Sequence, residues 1–198
     1  MTEVIQAFCP LCSGYNFSDH RGREKSHCDS CGSLERHRLL FFYALEQIGA
    51  HDRSAFVEKG FKLPSDLADG LGIQMFQMSD VSEVAAEPFD FVFTCDSIMP
   101  DINIYEYFFA IDKLVSPGGR VLLLPLADPK RTTTDASGFG LDVVHVFNSI
   151  PRWEFEEIVI PPSKEARMRS EMRSAKLFSE NQRGYVPLIG RRESLVSQ

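Results

Sequence analysis

From residue 54 onward, short apolar runs alternate with polar stretches that carry glycine and proline. The run Ala55–Glu58 predicts a strand, and SDLADG predicts a helix around Ser65–Gly70. Ile73–Met78 reads as a second strand ending at Ser79-Asp80, and Phe89–Cys95 (FDFVFTC) is the clearest strand of the chain. Over Ile104–Val115, Tyr107, Phe108, Ile111, Leu114 and Val115 recur at helical spacing, so they define the buried side of a helix. Ser116–Gly119 turns the chain into an apolar strand at Arg120–Leu124, which Pro125 closes. LADPKRTTTDASGFG is polar and rich in small residues, hence a long loop. Leu141–Ser149 reads as helical, Glu154–Ile160 as a strand, Glu165–Ser179 as a charged amphipathic helix with Met168, Met172 and Leu177, and Gly184–Arg191 as a final strand. Short apolar strands alternating with helices imply an α/β fold, its mostly parallel sheet covered on both faces. The two late strands are expected to pair as an antiparallel edge.

The first 50 residues follow a different pattern. Cys9, Cys12, Cys28 and Cys31 form C-x2-C-x15-C-x2-C, the spacing of a four-thiolate zinc ribbon. Two residues between thiolates let one knuckle present both sulfurs to the same ion, and Gly14 and Gly32 follow where the backbone must turn tightly. A segment with so few core residues also needs a staple to fold. Four thiolates fill the coordination sphere of Zn2+, so the metal's expected role is structural, and His20, His27 and His37 are not needed as ligands. Ser33 then offers an N-cap, Glu35 a first-turn acid and Gly49 a stop for a helix, with Leu34, Phe41, Leu45 and Ile48 on its apolar side. Arg36, His37 and Arg38 are expected to pack on the ribbon or face solvent. The chain therefore divides into a ribbon at 1–33 and an α/β domain at 34–198, joined by a linking helix at 34–48 and bearing a charged helical excursion at 164–180.

Charge narrows the functional classes. Residues 51–163 carry 8 basic and 18 acidic side chains, against 8 and 4 in residues 164–198. An acidic body repels phosphates, which argues against a nucleic-acid adaptor. No apolar run reaches the ~18 residues that a membrane-spanning helix needs. The N-terminus lacks the basic and apolar regions of a secretory signal, so a cytoplasmic location is the expectation.

FDFVFTCDSIMPDINIYEYFFAIDKLVSPGGRVLLLPLADP resembles the second half of a class I S-adenosylmethionine-dependent methyltransferase: a strand opening on Phe-Asp, a helix, a Pro-Gly-Gly turn and an apolar strand. CDSCGSLERHRLL is similar to the zinc-ribbon start of one group of bacterial methyltransferase-type proteins, as are the threonines after the Pro-Gly-Gly strand. The resemblance spans most of residues 9–160. It implies a Rossmann-like methyltransferase fold of seven strands, the last antiparallel, with S-adenosylmethionine over the carboxyl ends of the first strands. By the same resemblance Glu58, Gly60 and Asp80 would contact the cofactor, and Asp96 or His145 would orient or deprotonate a methyl acceptor. The turn after the first strand holds Gly60 but lacks the family's other glycines, and the distance from Gly60 to Phe89 implies a trimmed second strand–helix unit. Two functions follow. One is methyl transfer to an unknown acceptor. The other is a catalytically inactive methyltransferase-like protein that works through a protein partner or a second copy of itself.

Overall fold

A computed structural model describes residues 8–58, 61–77, 87–94, 104–128, 130–135, 139–140, 142–158 and 184–194. The first two strands, β1 (Phe17–His20) and β2 (Arg23–Cys28), form an antiparallel hairpin. Its two-residue loop puts both Arg21 (φ 50°) and Gly22 (φ 76°) in the left-handed region, the conformation a type I′ turn demands. Helix α1 (Glu35–Gln47) follows the second cysteine pair. The α/β part then runs β3 (Ser54–Glu58), α2 (Ser65–Gly70), β4 (Ile73–Gln77), β5 (Phe89–Thr94), α3 (Ile104–Leu114), β6 (Val115–Leu123), β7 (Leu126–Ala127), α4 (Val143–Phe147), β8 (Trp153–Glu157), β9 (Gly184–Tyr185) and β10 (Leu188–Arg192).

Six of these strands form the main sheet, in the order β4-β3-β5-β6-β10-β8. β4, β3, β5 and β6 are parallel, while β10 runs antiparallel to both of its neighbours, β6 and β8. Alternation along the strands sorts the side chains into two cores. Phe56, Phe91, Phe93, Leu122 and Ile189 face α1, α2 and the cysteine knuckles. Ala55, Val57, Val92, Val121, Leu123 and Leu188 face α3 and α4. Each fully buried Phe or Leu contributes about 1.5–3 kcal/mol of transfer free energy, so both faces must be covered.

The predicted elements are present where they fall on described residues, with differences of physical interest. Ser33 does not cap α1; Leu34 holds that position and its N–H is taken by His37 Nδ1 at 3.0 Å. Leu45, expected on the apolar side, is 49% exposed, because His37, Arg38, Leu40, Phe41 and Ala44 form the buried face instead. The Pro-Gly-Gly turn lies within β6 as a bulge. Phe89 faces Val115 and Phe91 faces Arg120, so the intervening residues of β6 loop outward, with Gly118 at φ 79°. The two late strands pair antiparallel at one edge of the sheet as expected, with β10 on the inside next to β6 and β8 outermost. The strand read at Ile73–Met78 is β4, Ile73–Gln77, parallel to β3. β4 lies at the edge of a six-stranded sheet among the described residues. The predicted helix at Glu165–Ser179 lies outside the described residues.

Candidate metal centre and the turn beside it

The two cysteine pairs build the same backbone device twice. Cys9 N–H donates to Gly14 O (2.7 Å) and Ser13 N–H donates to Cys9 O (2.8 Å). Four residues apart in the same way, Cys28 N–H donates to Ser33 O (2.9 Å) and Gly32 N–H to Cys28 O (2.8 Å). The residue after each pair takes a positive φ, Ser13 at 58° and Gly32 at 72°. Gly14 is needed for another reason: a Cβ there would meet Ser30 Oγ at 2.4 Å, where the two knuckles touch.

All four cysteines are free thiols, and their sulfurs lie within 4.8 Å of one another. Cys9 and Cys31 Sγ are 3.8 Å apart, and Cys12 and Cys28 Sγ 3.6 Å. With zinc–sulfur bonds of ~2.3 Å, the edge of a tetrahedral four-thiolate site is about 3.8 Å, so the donor set and its spacing fit zinc. The Cys31 contact holds the Cys9 thiol down to about 4, while the same contact pushes Cys31 up. Thiols this close do not all ionise by themselves; a cation among them removes that conflict.

Ser33, just before α1, and Arg38, within it, close the centre from the core side. Ser33 Oγ lies 3.4 Å from Cys9 Sγ and 3.3 Å from Cys31 Sγ. The Arg38 guanidinium, 0% exposed, donates to Ser33 O (2.7 Å), Ser33 Oγ (3.1 Å) and Ser26 O (2.9 Å), and lies over the Phe17 ring. Burial lowers the pKa of Arg38, and the charges of Cys9, Glu35, Cys28 and Cys31 oppose that. A zinc ion with four thiolates carries a net charge of −2, which a buried guanidinium partly balances.

The preceding residue of α1 faces the sheet. His37 is 4% exposed; its Nδ1 accepts from Leu34 N–H, so the proton sits on Nε2, which points to Glu58 Oε1 at 3.7 Å. Burial pushes the His37 pKa below its ordinary value. Phe61 stacks on the His37 ring, with centroids 4.1 Å apart and planes 11° from parallel. Glu58, at the carboxyl end of β3, is 1% exposed, and Phe61 and Leu63 are buried with it. This end of β3 lies where the sheet order reverses, since β4 lies on one side and β5 on the other. Crevices at such points are the usual ligand positions of doubly wound sheets. The residues described there do not fit a cofactor approaching Glu58 as placed, because the carboxylate is covered and faces an imidazole.

Of the residues predicted from sequence, the structure brings Cys9, Cys12, Cys28 and Cys31 together. Glu58 faces His37, on whose ring Phe61 stacks, an arrangement that sequence reasoning missed. His145 is exposed on α4, which packs against β8, four strands across the sheet from β3. Gly60, Asp80 and Asp96 lie outside the described residues. The signal for the missed pair was present in ERHRLLFF: His37 and Arg38 occupy consecutive helical positions directly before the apolar run.

Taken together, a doubly wound, mostly parallel sheet with one antiparallel strand inserted next to its far edge is a Rossmann-like, methyltransferase-type fold, here joined to a four-cysteine ribbon. No family model matches the chain, and no curated protein matches it. Solved structures do. The YcgJ protein of Bacillus subtilis is 12% identical over 80% of this chain and 99% of its own, with a TM-score of 0.46. The phosphoethanolamine N-methyltransferase 2 of Haemonchus contortus, in complex with S-adenosyl-L-methionine, is 15% identical over 83% of this chain and 54% of its own (TM-score 0.45). An S-adenosylmethionine-dependent methyltransferase from Mesorhizobium loti is 12% identical over 76% and 97% (TM-score 0.43). The strand order itself defines the class of fold. No helix among the described residues is long and apolar enough to cross a membrane.

Proposed function

We propose that this chain is a zinc-binding, methyltransferase-like protein that works by binding a protein partner rather than by transferring a methyl group. The observation that carries this reading lies at the carboxyl end of β3, where Glu58 is buried and faces His37, on whose ring Phe61 stacks. A cofactor loop needs backbone exposed to its ligand; here the described residues on either side, Glu58, Phe61 and Leu63, are buried. Two surface features support partner binding. A groove of about 530 Å³ runs along the outer edge of β4, between Lys62, Leu63, Ala68, Asp69 and Met75. On α3, Tyr105 and Phe109 (68% exposed) stand one turn apart on the outer face. Zinc at Cys9, Cys12, Cys28 and Cys31 is structural, since the four thiolates leave no open position for chemistry.

Methyl transfer is the second reading, favoured by the strand order, which keeps the crevice between β3 and β5 where the family holds its cofactor. In that case Glu58, Gly60 and Asp80 would hold S-adenosylmethionine, and Asp96 or His145 would act on the acceptor. Calorimetric titration of the zinc-loaded protein with S-adenosylmethionine and S-adenosylhomocysteine separates the two. No detectable heat at millimolar ligand is the expected result. Saturable binding in the micromolar range would overturn the binding-partner reading and restore the enzymatic one.

A further inference from the structure

The four cysteines are equivalent as donors but not as surfaces. Cys9 and Cys28 are fully buried, while Cys12 and Cys31 each keep part of their surface in solvent. The two accessible sulfurs differ in turn. Cys31 Sγ lies 3.3 Å from Ser33 Oγ, which also lies 3.4 Å from Cys9 Sγ. Arg38 donates to Ser33 Oγ, so the hydroxyl hydrogen is left to point at these sulfurs. Such a hydrogen bond draws electron density from a metal-bound thiolate and lowers its nucleophilicity. Cys12 Sγ meets no hydroxyl and no guanidinium among the described residues, and lies 3.6 Å from Cys28 Sγ. Each accessible sulfur has a backbone partner, Gly14 for Cys12 and Ser33 for Cys31, so the hydroxyl is the difference between them. Gly14 also leaves Cys12 uncovered, since a Cβ on it would lie 3.3 Å from the Cys12 sulfur.

We propose that Cys12 is the reactive thiolate of the metal centre and a site of modification by hydroperoxides, with Cys28 as its resolving partner. The Cys12 thiolate attacks one oxygen of the hydroperoxide. An S–O bond forms as the O–O bond breaks, giving a sulfenic acid, and the leaving oxygen takes a proton to become an alcohol or water. The Cys28 thiolate then attacks the Cys12 sulfur; the S–S bond forms and hydroxide leaves, protonated to water. Both sulfurs are oxidised by one electron each, the peroxide takes up the two electrons, and solvent supplies the two protons. The ion loses two of its four ligands and leaves the ribbon. Cys9 and Cys31, held by Ser33, stay reduced. The proposal rests on the zinc reading above, so zinc content is measured separately.

The test uses the full zinc-loaded chain, treated with near-equimolar hydrogen peroxide, quenched with N-ethylmaleimide and digested without reduction for mass spectrometry. Released zinc is followed in parallel with a chromophoric chelator. The first disulfide to accumulate is expected to be Cys12–Cys28, in step with zinc release. Brief labelling of unoxidised protein with N-ethylmaleimide is expected to mark Cys12 at least about fivefold faster than Cys31. Ser33→Ala keeps all four ligands; it is expected to bring Cys31 labelling to within about twofold of Cys12 and to let a Cys9–Cys31 disulfide appear beside the first. The proposal is overturned if Cys9–Cys31, a pair within one knuckle or a bond to Cys95 forms first, or if Cys12 and Cys31 of the wild type label at equal rates. An unchanged labelling ratio in folded, zinc-loaded Ser33→Ala overturns it as well. If that variant does not hold zinc, the wild-type disulfide map and labelling ratio decide by themselves. Wild-type protein that takes up no zinc under any loading condition refutes the metal reading and the proposal with it, a result told apart by the zinc content.

Discussion

His37 shows how burial turns an ordinary side chain into a pH-dependent one. Its folded-state pKa is depressed by burial, whereas in the unfolded chain it titrates near the ordinary value of about 6.5. Below that pH the unfolded state binds a proton that the folded state resists, so stability is fully present above about 6.5 and falls as pH falls below it. Urea midpoints measured between pH 7.5 and 5.5 are expected to drop more for wild type than for His37→Gln, and equal slopes would rule this out. The cysteines make a second prediction at the same scale. Cys28 is buried in the centre, and Cys28→Ser leaves three thiolates for a four-coordinate ion. After gel filtration, metal analysis is expected to find one equivalent of zinc in wild type and less than about half in the variant. Residue chemistry of this kind was partly legible. The C-x2-C pairs announce themselves by spacing, because two knuckles around one ion impose a local rule. The partners of His37 and Arg38 were not, because they lie 21 residues on, at Glu58, and 12 residues back, at Ser26.

Among the elements, β10 depends most on one small side chain. Gly190 pairs with Val121 of β6 and Phe155 of β8, and a Cβ on it would meet the Phe155 ring at 2.3 Å. Gly190→Ala is therefore expected to cost about 1–3 kcal/mol in urea denaturation, since either the ring or the register must shift. A loss below about 0.5 kcal/mol would mean that the Phe155 ring moves aside freely. The same strand is tied to α3 by Arg192, whose Nε and Nη2 reach the two oxygens of Asp112 at 2.8 and 2.9 Å and whose Nη1 donates to Val115 O. Element identity was well predicted: α2 occupies Ser65–Gly70 as read, and Tyr107, Phe108, Ile111 and Leu114 line the buried side of α3. Short-range periodicity carries that information. The antiparallel pairing of β8 with β10 was anticipated too, but the pairing of β10 with β6 was not, because which strand pairs with which is a choice among distant segments with similar apolar patterns.

For the whole molecule, metal and fold are expected to be thermodynamically linked. The cysteine knuckles belong to the same core as Phe56, Phe93 and Leu122 of the central strands. A ligand that binds only the folded state raises its stability with concentration, so chelation should lower the thermal midpoint and zinc should restore it, with the midpoint rising as free zinc rises. A midpoint that ignores chelator, in protein shown to have lost its zinc, would mean that ribbon and sheet melt independently. This linkage also bears on the division at residue 33 expected from composition, where we propose that the ribbon and the α/β domain unfold as one unit.

Local pattern alone specified the four-cysteine ribbon, the run of strands and helices, and the α/β class, because each is written in spacings of two to four residues or in short apolar runs. It also pointed to the turn after β3 as unusual, through a single glycine followed by Phe61, Lys62 and Leu63. Only the tertiary structure decided what lies against the end of β3. Glu58 is buried facing His37, a residue of α1, and Phe61 stacks on the same imidazole, an arrangement that arises only when α1 packs on the end of β3.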